Sequence, residues 1–114
     1  MEERNNRKNK DAVTIKVDPG VCSFTCIIYA FRNGKDSVGF EIRSDCEQIR
    51  KLAGDLGEIG LKDLFVPLSK NPVFLRAEKY QCHLACPVPC SLIKAAEVAL
   101  GLAIPKNVMI TFEN

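Results

Sequence analysis

The apolar period of the chain changes near residue 44, and that change constrains the fold class more than any other feature. Upstream, apolar residues recur every second position. Val13, Ile15 and Val17 alternate with Thr14 and Lys16, the pattern of a half-buried strand. Residues 22–32 read as a second strand, with Cys22, Phe24, Cys26, Ile28 and Ala30 on one face. Its other face carries Val21, Ile27, Tyr29 and Phe31, so the strand is expected to be central. Val38, Phe40 and Ile42 alternate with Ser37, Gly39, Glu41 and Arg43 in a third. The connections carry turn chemistry. Asp18-Pro19-Gly20 joins a fixed φ to a residue that accepts φ > 0. Asn33-Gly34 is a strong hairpin signal.

Downstream the period becomes helical. Cys46, Ile49, Leu52/Ala53 and Leu56 fall on one stripe, and the helix should stop near Gly57. Ser44-Asp45-Cys46-Glu47 has the Ser-x-x-Glu spacing of a capping box. Gly57–Gly60 reads as a loop, and 61–65 as a short turn stopped by Pro67. Asn71-Pro72 predicts an N-cap with proline in the first helical position, opening a helix over 72–85. Pro89 opens another through Leu100, with Leu92/Ile93, Ala96 and Ala99/Leu100 buried and Gly101 at its C′ position. Beyond Pro105, Val108, Ile110 and Phe112 alternate with Met109 and Thr111, which predicts a closing strand. The order β-β-β-α-(α)-α-β is an α+β pattern. It implies a mainly antiparallel four-stranded sheet with two to three helices on one face. Residues 1–11, rich in Asn, Lys, Arg and Glu, read as a disordered arm preceding a single domain over 12–114.

Charge and motif searches exclude several function classes. The net charge is +2, and the arm accounts for +1 of it. A nucleic-acid domain carries a stronger basic stripe. Gly57-x-x-Gly60 has the spacing of the KH clamp, but Glu58 inside it would repel phosphate. There is no Gly-rich phosphate loop and no paired-carboxylate spacing for acid–base chemistry. No apolar run approaches the ~20 residues that span a bilayer. The N-terminus lacks a signal-peptide core, so a cytoplasmic location is expected, with no membrane partner.

What remains distinctive is six cysteines. In a reducing compartment they are expected to be buried thiols, metal ligands or reactive thiols rather than a disulfide framework. Two spacings stand out, Cys22-x3-Cys26 and Cys82-x3-Cys86-x3-Cys90. On one regular strand Cys22 and Cys26 would lie ~13 Å apart, too far to share a metal ion. Cys26, at mid-strand, reads as a core residue. Cys22 follows a turn, while Cys46, Cys86 and Cys90 lie at or near predicted helix starts, where the dipole and free N–H groups favour a thiolate. Cys46 also fits the apolar stripe of its own helix, and Cys82 and Cys90 read as ordinary packing residues. His83, the only histidine, stands three residues before Cys86, on the same helical face.

Two resemblances rest on these residues. Val17-Asp18-Pro19-Gly20-Val21-Cys22, Ser44-Asp45-Cys46-Glu47, Ala85-Cys86-Pro87-Val88-Pro89 and the stretch from Ile93 to Pro105 resemble an uncharacterised family of small archaeal and bacterial domains. That resemblance implies a Cys22/Cys46/Cys86 constellation with His83 beside it. It also implies that Ser23 stands where glycine often follows the first cysteine. Cys86-Pro87-Val88-Pro89, followed by a helix and then a strand, is similar to the Cys-Pro-x-Pro box of the TusA/SirA sulfur-carrier family, which implies a persulfide on Cys86.

Three functions are therefore open. The first is a module binding zinc or an iron–sulfur cluster through Cys22, Cys46 and Cys86, with His83 or one further cysteine as fourth ligand. The second is a thiol- or persulfide-transfer protein, enzyme or carrier, using Cys86. The third is a domain that binds a protein partner and whose cysteines are structural.

Overall fold

A computed structural model describes residues 12–114; the expected N-terminal arm, residues 1–11, lies outside the described residues. Three strands form first: β1 (Val13–Val17), β2 (Cys26–Asn33) and β3 (Ser37–Ser44). Helix α1 (Glu47–Leu56) follows, then a two-residue strand β4 (Ile59–Gly60). Two short 3-10 helices, Leu61–Phe65 and Leu68–Lys70, lead into α2 (Pro72–Lys79) and α3 (Val88–Ala99). The sheet is antiparallel, in the order β1-β2-β3-β4. The α+β class and the four-stranded antiparallel sheet with helices are thus as expected.

The two-residue period does its work on the helix-facing side. Val17, Cys26, Ile28, Ala30 and Val38 are buried there against Ile49, Leu52 and Leu56 of α1, Val73 and Ala77 of α2, and Val88, Leu92, Ala95 and Ala96 of α3. The opposite face keeps Ile27, Tyr29 and Phe31 half-exposed. There the Phe31 ring lies over Gly39 on β3, so close that a Cβ at Gly39 would stand 2.6 Å from it. The Arg43 guanidinium sits 5.2 Å from the Tyr29 ring centroid.

Four local expectations need correction. The closing strand over Val108–Phe112 is absent; the fourth strand is Ile59-Gly60, paired with Ser37 and Val38 of β3. The alternation is real, but the chain after Gly101 is exposed and bonds to no strand among the described residues. Second, β2 begins at Cys26. Cys22 lies in a turn where Ser23 N–H bonds to the Gly20 carbonyl, so the ~13 Å spacing of a regular strand does not apply. Third, the Ser44/Glu47 capping box does not form. Cys46 is the N-cap of α1, and Ser44 Oγ instead accepts from Cys46 N–H at 3.1 Å. Fourth, α2 stops at Lys79 rather than 85. The Gln81 and Cys82 amides turn back onto the Glu78 and Ala77 carbonyls, a Schellman closure with Gln81 at positive φ. α3 ends the same way, with Gly101 and Leu102 donating to Val98 and Glu97.

Candidate functional site

Register brings the first cysteines to one end of the sheet. Val17 pairs with Cys26, and Cys26 pairs with Ser44. The β1–β2 connection carrying Cys22 and the β3–α1 junction carrying Cys46 therefore leave the sheet at the same end. The helices supply the other side. Asp55 of α1 accepts hydrogen bonds from Lys79 Nζ at 2.9 Å and Tyr80 Oη at 2.8 Å, tying the end of α2 to α1. These bonds, Lys79 first, hold the Asp55 carboxyl below its usual range. The Schellman closure then turns Gln81-Cys82 out of the helix. A further turn, with Cys86 N–H on the His83 carbonyl, delivers Cys86 ahead of α3.

The result is a cavity of about 180 Å³ whose lining includes Cys22, Cys46, Cys82, His83 and Cys86. Its remaining wall is largely apolar, with Pro19, Phe24, Ile49 and Val88, and two glutamines, Gln48 and Gln81. Among the described residues no lysine or arginine lines it. Cys22 and His83 are exposed, and Cys46, Cys82 and Cys86 are half-buried. All six thiols are free. The helix starts face the cavity too: Cys46 is the N-cap of α1, and a Val88 N–H at the start of α3 bonds to Cys86. Cys46 Sγ lies 3.4 Å from Gln48 Oε1.

Electrostatics disfavour charge on Cys82 and Cys86 as they stand. Burial pushes the Cys86 thiol up; the Val88 N–H pulls it back, and the neighbouring Cys46, Cys22 and Cys90 raise it again. Cys82 is raised by burial, then by Cys86 and Cys46. Cys26, fully buried, is pushed up to about 11 by burial and by Cys86 and Cys46. A low-pKa nucleophile at Cys86 is therefore not what this environment favours.

Cys22, Cys46, Cys86 and His83 thus share one cavity. Cys26 is a core residue as expected, although it opens β2 rather than standing at mid-strand. Cys90 is exposed and off the cavity, its thiol 3.3 Å from the Pro87 carbonyl. Cys82, read from sequence as packing, lines the cavity. The signal that could have found it is the same Cys-x3-Cys spacing, once the helix is allowed to end before it. Among the described residues no three His, Cys, Asp or Glu side chains stand as a ready-made metal-holding group. Among the described residues two non-glycine positions have left-handed backbone, Ser23 (φ 64°) and Gln81 (φ 56°), and each adjoins a cavity cysteine. Such strain tends to collect at functional sites.

The model of a family of unknown function (DUF6951) matches residues 13–112. Neither curated proteins nor solved structures give a significant match. The likeness to the sulfur carriers rests on the Cys-Pro-x-Pro box alone, and the strand expected after its helix is absent. No helix among the described residues is long and apolar enough to cross a membrane.

Proposed function

This chain belongs to that family of unknown function, and from its own residues we propose that it binds a thiophilic metal centre, zinc or an iron–sulfur cluster. The observation that carries the reading is the donor set: four cysteines and the only histidine around one largely apolar cavity. Cys22, Cys46 and Cys86 are the proposed thiolate ligands, with His83 or Cys82 as the fourth. Soft thiolates and an imidazole suit zinc, and thiolates suit an iron–sulfur centre.

The raised thiols favour this reading over nucleophilic chemistry. Thiolates crowded in an apolar wall repel one another, and among the described residues no lysine or arginine of the lining offsets them. A bound cation would supply the missing positive charge and drive off the thiol protons. Binding requires the donors to draw closer than they now stand. Cys22 and the 82–86 stretch lie on connections outside the strands and long helices, the segments best able to adjust. Metal affinity should rise with pH, because each ligand must lose a proton.

The test is elemental analysis and absorbance on protein purified without oxygen, alongside C22S, C46S and C86S. The expected result is stoichiometric zinc, or iron and sulfide with charge-transfer absorbance, reduced in each variant. Protein that stays metal-free after anaerobic reconstitution with zinc, and with iron and sulfide, would overturn the proposal.

A further inference from the structure

Beyond the Schellman closure at Gly101 the chain carries a row of apolar side chains that no described residue covers. Ile104, Val108, Met109, Ile110 and Phe112 are 77, 61, 84, 85 and 89% exposed. Five large apolar groups on so short a segment form the kind of uncovered surface that marks an interaction site. The segment is no appendage, since the family match runs to residue 112. It also has strand grammar: Val108, Ile110 and Phe112 on one side, Met109, Thr111 and Glu113 on the other.

The sheet offers a matching vacancy. Among the described residues β1 is hydrogen-bonded to β2 alone, so its outer edge is unpaired. β1 has five residues, the length of Val108–Phe112. Its helix-facing residues Val13 and Ile15 are only half-covered, and apolar neighbours there would complete their burial. On the opposite face β1 exposes Lys16, and an added strand with its apolar side inward would place Glu113 on that same face. An open edge of this kind is a template for another strand.

The chain's own edge is not where the segment lies. It leaves α3 and stays exposed, although α3 itself packs over β1 and β2. We propose that the protein is a homodimer in which Val108–Phe112 of each copy adds as a fifth strand to the β1 edge of the other. The exchange is reciprocal, so it closes on a pair rather than growing into a filament.

Light scattering on the full chain, with hydrogen exchange, tests this. The wild type should show twice the 12.6 kDa chain mass and slow exchange at the β1 amides. The variant I110E/F112E should be folded by circular dichroism, have half the wild-type mass, and exchange faster at β1. A wild type that stays monomeric at every soluble concentration overturns the proposal. So does a folded variant that remains dimeric, or one that becomes monomeric with unchanged exchange at β1. Should the variant not fold, carbodiimide cross-linking of mixed heavy- and light-isotope wild type decides. Links between a β1 peptide of one copy and a 108–114 peptide of the other support the exchange; links only within a copy overturn it.

Discussion

Ser23 and Gln81 hold backbone that glycine adopts without penalty, and each does so beside a cysteine of the cavity. Ser23 closes the turn after Cys22, and Gln81 occupies the left-handed position of the α2 Schellman closure. Replacing either with glycine removes a Cβ clash at the cost of a more flexible unfolded chain. We expect Ser23→Gly and Gln81→Gly each to raise stability by ~0.5–1 kcal/mol, read from urea midpoints. The resemblance to a family with glycine after its first cysteine already pointed at position 23. Position 81 was hidden, because Gln inside an apparently continuous helical period carries no turn signal. Only the tertiary hold of Asp55 on Lys79 and Tyr80 shows where that helix must end.

At the level of elements, the core-facing sides of β1, β2 and β3 were more legible than the ends of elements. The period of β1, β2 and β3 depends on which side faces the core, and a two-residue period has only two answers. Helix starts depend on single side chains, and there the reading slipped by two residues at α1. Ser44 and Glu47 have the spacing of a capping box, yet Ser44 spends its oxygen on Cys46 N–H, and the cap falls to Cys46 with no side-chain hydrogen bond. A cysteine is a poor cap, so α1 starts without a capping side-chain hydrogen bond. Cys46→Ser restores a preferred capping oxygen. Its stability should be unchanged or higher by up to ~1 kcal/mol, measured by thermal melting of metal-free protein, whereas the proposed metal site should lose occupancy on reconstitution. α2 shows the contrast. Its Asn71-Pro72 signal holds: Asn71 both accepts from Val73 N–H and donates to the Asp63 carbonyl.

Across the whole molecule, the three raised thiols act together on stability. Each has a folded pKa above its unfolded one, so each is fully stabilising below the ordinary thiol value and loses that contribution as pH rises through the folded value. For Cys26, between an ordinary 9.0 and about 11, the loss is roughly 2–3 kcal/mol. Cys82 and Cys86 add to it with the same sign. The melting temperature of metal-free protein should therefore fall steeply above pH ~9, and Cys26→Ala should flatten that fall. What no local period could reveal is convergence. Cys22, Cys46, Cys82 and Cys86 are scattered in sequence, and only strand register and the two helix closures decide that they meet. The missing closing strand has the same origin: alternation shows that Val108–Phe112 can pair, not which edge, or whose, it pairs with.

The register Val17–Cys26–Ser44 is set at the far end of the sheet, where the short link Gly34-Lys35-Asp36 returns β2 into β3. Its length therefore acts as a gauge for chemistry eight residues away. One residue more or fewer, if absorbed by sliding β3, would turn Val38, Phe40 and Ile42 outward and swing the start of α1 to the wrong side. Drift in that link is then heritable only when a bulge takes up the slack, so an innocuous-looking surface turn is bound to the fate of thiols it never touches.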